Sequence, residues 1–221
     1  MLVKDRMSKP PVTVRDNVGV EEALRLMHSE GVRRLPVVDK HGNMVGIVSE
    51  LDLLKVSPSP ATSLSVFEIP YLLAKIKMTE VMTKDVVTVT EDTPLEEAAR
   101  VMADNRIGGL PVLRDGKVVG IITETDLFKT FMEMLGGREE GVRLSMYVPN
   151  EKGMLAKITG IIAEMGVNIT ALSTIMGEDP TEYLVTIRVE EDADQEALIA
   201  AMQGLGFRME DARFCSLPAC D

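Results

Sequence analysis

Gly46-Ile47-Val48-Ser49-Glu50-Leu51-Asp52-Leu53 returns 74 positions later as Gly120-Ile121-Ile122-Thr123-Glu124-Thr125-Asp126-Leu127. Upstream of this pair the match continues at an offset of 75. Leu35-Pro36-Val37 recurs as Leu110-Pro111-Val112, and the run from Glu21 to Met27 recurs from Glu96 to Met102. Met7-Ser8 and Val12-Thr13-Val14 recur as Met82-Thr83 and Val87-Thr88-Val89. Order-preserving similarity with one deletion is the mark of an internal duplication. Each copy reads locally as an extended segment near residues 12–14, then a helix over 19–29 with Leu24, Met27 and His28 on one face. Apolar strands follow at 35–39 and 44–49, and a second helix starts at Ser49 or Thr123. Asp115-Gly116 marks a tight hairpin turn in the second copy. A β-α-β-β-α unit of this size has too little core to stand alone, so the two copies are expected to pack together.

Ser57-Pro58-Ser59-Pro60-Ala61-Thr62 separates the copies and cannot continue a helix; residues 71–76 read as a short amphipathic helix that covers apolar surface of the pair. Gly136-Gly137-Arg138-Glu139-Glu140-Gly141 reads as a flexible boundary. Beyond it, residues 142–148 alternate as a strand, with Val142, Leu144, Met146 and Val148 on one face. A helix through Leu155, Ile158, Ile162 and Met165 ends at Gly166. Strands at 167–175 and 183–189, a helix at 193–203 and a strand at 207–214 complete a β-α-β-β-α-β order, the ferredoxin-like arrangement. The fold class is therefore α+β, with repeats at 1–56 and 78–135, a linker with a short helix at 57–77, a second linker at 136–141 and a C-terminal domain at 142–216.

The 221 residues carry a formal charge of −11, unevenly spread. Residues 1–135 hold 17 Lys and Arg against 20 Asp and Glu, while residues 136–221 hold 7 against 15. Acidity of this kind argues against nucleic acid and anionic membrane surfaces as partners. No run approaches the roughly 20 apolar residues of a membrane span, and the N-terminus has no secretory leader, so the expected location is the cytoplasm. Cys215 and Cys220 fit no metal spacing, and His28 and His41 stand apart from any catalytic grouping.

The candidate ligand site lies in the repeated junction. A helix start leaves backbone N–H groups unpaired and carries partial positive charge, which suits a phosphate. Ser49 and Thr123 place hydroxyls there. Asp52 and Asp126, one turn on, offer carboxylates to ribose hydroxyls. Arg33 and Arg34 in the first copy, and Arg106 in the second, supply cations for phosphate oxygens. Ser-x-x-Asp and Thr-x-x-Asp are also ordinary helix caps, and that role holds whether or not a ligand binds.

Residues 1–135 resemble a tandem pair of CBS domains on the strength of these repeats. The resemblance implies two clefts that bind adenosine compounds: ATP, ADP, AMP or S-adenosylmethionine, with or without magnesium. It places Thr123 and Asp126 in one cleft and Ser49 and Asp52 in the other, with adenine held by backbone around Val12-Thr13 and Val87-Thr88. Residues 142–216 resemble an ACT domain through Asn150-Glu151-Lys152-Gly153 and Gly166-Val167-Asn168-Ile169. That likeness implies an amino-acid effector near Asn150, Gly153 and Asn168, or pairing of chains, or both; Lys152 stands where a proline is usual. The combined order is similar to the AcuB type of acetoin utilisation protein. A non-catalytic, homodimeric regulator acting on a protein partner is the reading that follows, without any catalytic cofactor or resident metal. Its alternative is a dimerisation adaptor with vestigial clefts.

Overall fold

The computed structural model describes residues 1–56 and 68–216, which divide into two compact units, Met1–Leu127 and a second beginning at Phe128. The Ser-Pro linker, Leu64 and Cys220 lie outside the described residues.

In the first unit each repeat contributes one three-stranded sheet. The first holds β1 (Val14–Arg15), β2 (Arg34–Val38) and β3 (Met44–Ser49), with helices α1 (Val20–Glu30) and α2 (Glu50–Lys55). After α3 (Glu68–Lys75) and α4 (Met78–Val81), the second repeats the plan as β4 (Val89–Thr90), α5 (Leu95–Asn105), β5 (Gly109–Arg114), β6 (Lys117–Thr123) and α6 (Glu124–Met134), a helix that continues past Leu127 into the second unit. In both, a short parallel strand flanks an antiparallel hairpin. The first strand is shorter than the extended segment read from sequence, because only Val14 and Arg15 pair with β2. Asp115 and Gly116 turn the second hairpin with φ of 51° and 77°, as the Asp-Gly pair requires.

The face of α1 differs from expectation. Val20, Ala23 and Met27 are buried, whereas His28 is exposed and its Nε2 sits 3.2 Å from Glu50 Oε1. The spacing of three and four positions continues through His28, but a polar ring at the helix end stays in water. Helix α3 packs on the first repeat: Leu73 is buried in its core, though Tyr71 and Leu72 face solvent.

The two repeats exchange their leading segments. Val3 and Met7 are buried in the core of the second repeat, and Met78 is buried in the core of the first. Backbone bridges fix both exchanges: Ser8 N–H donates to the Ile121 carbonyl at 2.9 Å, and Thr83 N–H to the Ile47 carbonyl at 2.9 Å. Glycines make the crossings possible. A Cβ on Gly46 would lie 2.5 Å from Met82 Sδ, and one on Gly120 would run into Met7. Burying Val3 and Met78 in the opposite core contributes roughly 2 kcal/mol each, which couples the repeats into one folding unit.

The second unit is a four-stranded antiparallel sheet in the order β10-β7-β9-β8, formed by β7 (Gly141–Pro149), β8 (Ile169–Met176), β9 (Glu182–Val189) and β10 (Arg208–Cys215). Helices α7 (Met154–Glu164) and α8 (Gln195–Gly204) bury Ile158, Ile162, Leu198 and Met202 against Val142, Leu144, Met146 and Val148. The expected β-α-β-β-α-β order is therefore present. On the opposite face Ser145 and Arg188 are also buried, and the Ser145 and Thr186 hydroxyls lie 2.8 Å apart. Arg188 Nη1 donates to the Glu139 carbonyl. Gly136, at φ 65°, is packed so tightly on Arg188 that a Cβ would fall 2.7 Å from Cδ. The glycine-rich boundary that reads as a flexible tether is thus fastened at this end.

Candidate ligand cleft

Strands β3 and β6 each end at the hydroxyl residue that starts the next helix, and the two junctions have the same geometry. Ser49 Oγ donates to Asp52 Oδ2 at 2.6 Å, Ser49 N–H donates to the same oxygen at 3.0 Å, and Asp52 N–H returns a bond to Oγ at 3.3 Å. Thr123 and Asp126 make the same three contacts at 2.6, 2.9 and 3.3 Å. The capping role is therefore realised in both copies, and it commits Oδ2 of each aspartate to the helix start.

A cavity of about 640 Å³ opens between the repeats, within the usual size of a small-molecule site. It gathers Val12, Arg33, Arg34, Ser49, Thr123 and Asp126 from the residues singled out in the sequence. Thr13, Asp52, Val87, Thr88 and Arg106 are not on its wall. The exchange explains this mixed membership. The segment crossing from the first repeat brings Ser8, Pro10, Pro11 and Val12 beside Ile121 and Thr123 of the second.

Arg106 takes a different part from the one expected. It caps α5 in the left-handed conformation (φ 54°), where its counterpart in the first repeat is Gly31 (φ 65°). The true counterparts of Arg33 and Arg34 are Gly108 and Gly109, since Arg34 pairs with Ser49 and Gly109 pairs with Thr123. A Cβ on Gly108 would come within 2.5 Å of Arg34 Nη2 and 2.7 Å of Glu124 Oε2. The arginine of one repeat thus lies over the glycines of the other, and the cleft takes both its cations from the first repeat.

The acids of this cleft escape a reading of the sequence for phosphate ligands. Glu50 and Glu124, the first residues of α2 and α6, both line it. Their backbone N–H groups bond the carbonyls of Arg33 (3.0 Å) and Gly108 (3.3 Å), which ties each glutamate to the strand entrance opposite. The duplicated Ser-Glu and Thr-Glu pairs carry the signal, but a glutamate in a first helical turn is ordinarily read as favouring the helix dipole.

In the second unit, Gly153 caps α7 at φ 88°, a conformation that favours glycine. Asn150 Nδ2 donates to the Pro180 carbonyl at 3.3 Å, and Asn168 N–H donates to Glu190 Oε1 at 2.9 Å. Both asparagines thus help to shape loops. Among the described residues no group of three or more His, Cys, Asp and Glu is arranged to hold a metal, and no helix is long and apolar enough to cross a membrane.

The CBS domain profile matches residues 3–59 and 78–133, together just over half of the sequence. The chain belongs to the CBS-domain family. Residues 144–206 match the AHAS small subunit-like ACT domain. The CBS domain pair of protein MJ0100, solved in complex with 5′-methylthioadenosine and S-adenosyl-L-methionine, is 34% identical with a TM-score of 0.51; the match covers 63% of this chain and 98% of that one. An acetoin utilization protein (AcuB) from Vibrio cholerae is 32% identical with a TM-score of 0.50, over 60% of this chain and 90% of that one. L-Aspartate semialdehyde sulfurtransferase of Methanocaldococcus jannaschii is 37% identical over 133 residues, 59% of this chain but 23% of the enzyme. The CBS-family chain thus spans about a quarter of that relative's length.

Proposed function

We propose that this CBS–ACT protein is a non-catalytic sensor that binds an adenosine compound in the cleft carrying Thr123 and Asp126. One observation carries the reading: a single cleft brings two arginines of one repeat together with the capped junction of the other. Asp126 is placed to accept from ribose hydroxyls, the start of the 11-residue α6 to face an anionic group, and Arg33 and Arg34 to bond its oxygens. The complex of the MJ0100 pair with two adenosine ligands supports the ligand class. Ser49 both lines the cleft and caps its helix with Asp52, while Asp52, Val87, Thr88 and Arg106 lie off the cleft wall.

The ACT unit pairs two chains in this reading, as a homodimer in the cytoplasm. The edge strand β8 supports it, since Ile175 (65% exposed) and Met176 (56%) stand on an unpaired edge of the sheet. An amino-acid effector near Gly153, Asn150 and Asn168, a regulated protein partner and a link to acetoin metabolism extend the same proposal; the likeness to the Vibrio protein supports the last. Coupling requires that the ligand favour one arrangement of the chain over another.

Isothermal titration of ligand-free protein with AMP, ADP, ATP and S-adenosylmethionine tests the reading. Saturable binding of at least one compound, weakened about tenfold or more by Asp126→Ala, is expected. Four flat titrations would leave an adaptor.

A further inference from the structure

The charges around the cleft are of both signs. Arg33 and Arg34 supply two cations, and Glu50, Glu124 and Asp126 supply three carboxylates. A polyphosphate brings several negative charges into this setting, where it meets the arginines but also crowds the glutamates. The crowding is local. Arg34 Nη2 and Glu124 Oε2 reach to within 2.5 and 2.7 Å of the same point over Gly108, so an anionic group drawn to the guanidinium arrives beside the carboxylate. Glu50 also lines the cleft, with its Oε1 3.2 Å from His28 Nε2. Arg34 therefore has the Glu124 carboxylate as its neighbour in the wall, and Glu50 adds a second carboxylate to the same lining.

Paired opposite charges of this kind match a tail that carries both signs itself. An α-amino acid group offers a carboxylate to guanidinium and an ammonium to carboxylate, and a sulfonium adds a second positive centre. Like-charge juxtaposition in a cleft is costly, while complementary pairing adds charge-assisted hydrogen bonds. We infer that Glu50 and Glu124 set the specificity of the cleft, favouring an adenosine with a zwitterionic, sulfonium-bearing amino-acid tail and disfavouring nucleoside di- and triphosphates. This rests on the reading that the cleft binds an adenosine compound at all, and it names which chemical class.

Parallel calorimetric titrations with S-adenosylmethionine and ATP, on the full-length protein and on Glu124→Gln and Glu50→Gln/Glu124→Gln, decide it. Wild-type protein is expected to bind S-adenosylmethionine about tenfold or more tightly than ATP. The double substitution should shrink that ratio by about tenfold, by weakening the first ligand and strengthening the second. Tighter binding of ATP by wild-type protein, or a ratio unmoved in both variants, overturns the inference and leaves adenosine binding standing. Failure of wild-type protein to bind either compound or AMP removes the underlying reading as well. Should the double variant unfold, the wild-type ratio and its change in the single Glu124→Gln variant still separate these outcomes.

Discussion

At the entrance to their first core strands the two repeats differ at two adjacent positions: Arg33-Arg34 in one, Gly108-Gly109 in the other. Their helix caps, by contrast, agree down to the hydrogen-bond lengths. The difference nevertheless sets the charge of the cleft. Side-chain volume removed from the second repeat is filled by an arginine from the first, so one cleft receives both cations and the duplicated fold becomes chemically lopsided. Internal symmetry of backbone does not carry symmetry of chemistry.

The largest expected effect attacks what holds the repeats in register. Met78→Ala empties a fully buried position in the opposite repeat's core and should cost about 3 kcal/mol in chemical denaturation. A loss below about 1 kcal/mol would mean that the exchanged segment is peripheral. Next comes the arginine–glycine contrast. Arg34→Ala should weaken adenosine-ligand affinity by about 1.5–3 kcal/mol, while Arg106→Ala leaves it unchanged, since only Arg34 lines the cleft. Equal losses at both positions would restore the symmetric picture.

A finer distinction separates the two caps. Asp52→Ala and Asp126→Ala should each cost about 1 kcal/mol of stability through the lost cap. Only the second should also reduce ligand affinity, and a loss of binding confined to Asp52→Ala would place the ligand in the other junction. The smallest effect concerns the hairpins. Hydrogen bonds from the N–H groups of Asn43 and His41, with the Asn43 side chain, hold the exposed Asp39 carboxyl below the usual carboxylate range. Its contribution is present above the ordinary carboxylate pKa and is lost as pH falls through the depressed value. Wild-type stability should therefore fall slightly more steeply than that of Asp39→Ala in acid; parallel curves would show that this turn contributes nothing.

Much of the architecture is legible in the residues. Duplication, strand alternation and the Asp-Gly turn define it, because each is a local pattern with a local cause. The exchange of leading segments is not legible, since Met7 and Met82 look equally able to pack on their own repeat or on the other. Only the glycines at 46 and 120 hint at a close crossing. The lining of the cleft is legible in half. Thr123 and Asp126 follow from helix-start chemistry, but charge alone matches Arg106 to Arg33 and Arg34, whereas strand register aligns it with Gly31. Glu50 and Glu124 stay hidden because their cleft-facing position depends on how two junctions meet in space.

The seat of an adenosine ligand is the most direct test. Crystals grown with 5′-methylthioadenosine, which lacks any charged tail, should show its ribose on Asp126 and its base against the Pro10–Val12 backbone, beneath Arg34. Density confined to the neighbourhood of Asp52 and Val87, with this cleft vacant, would contradict it.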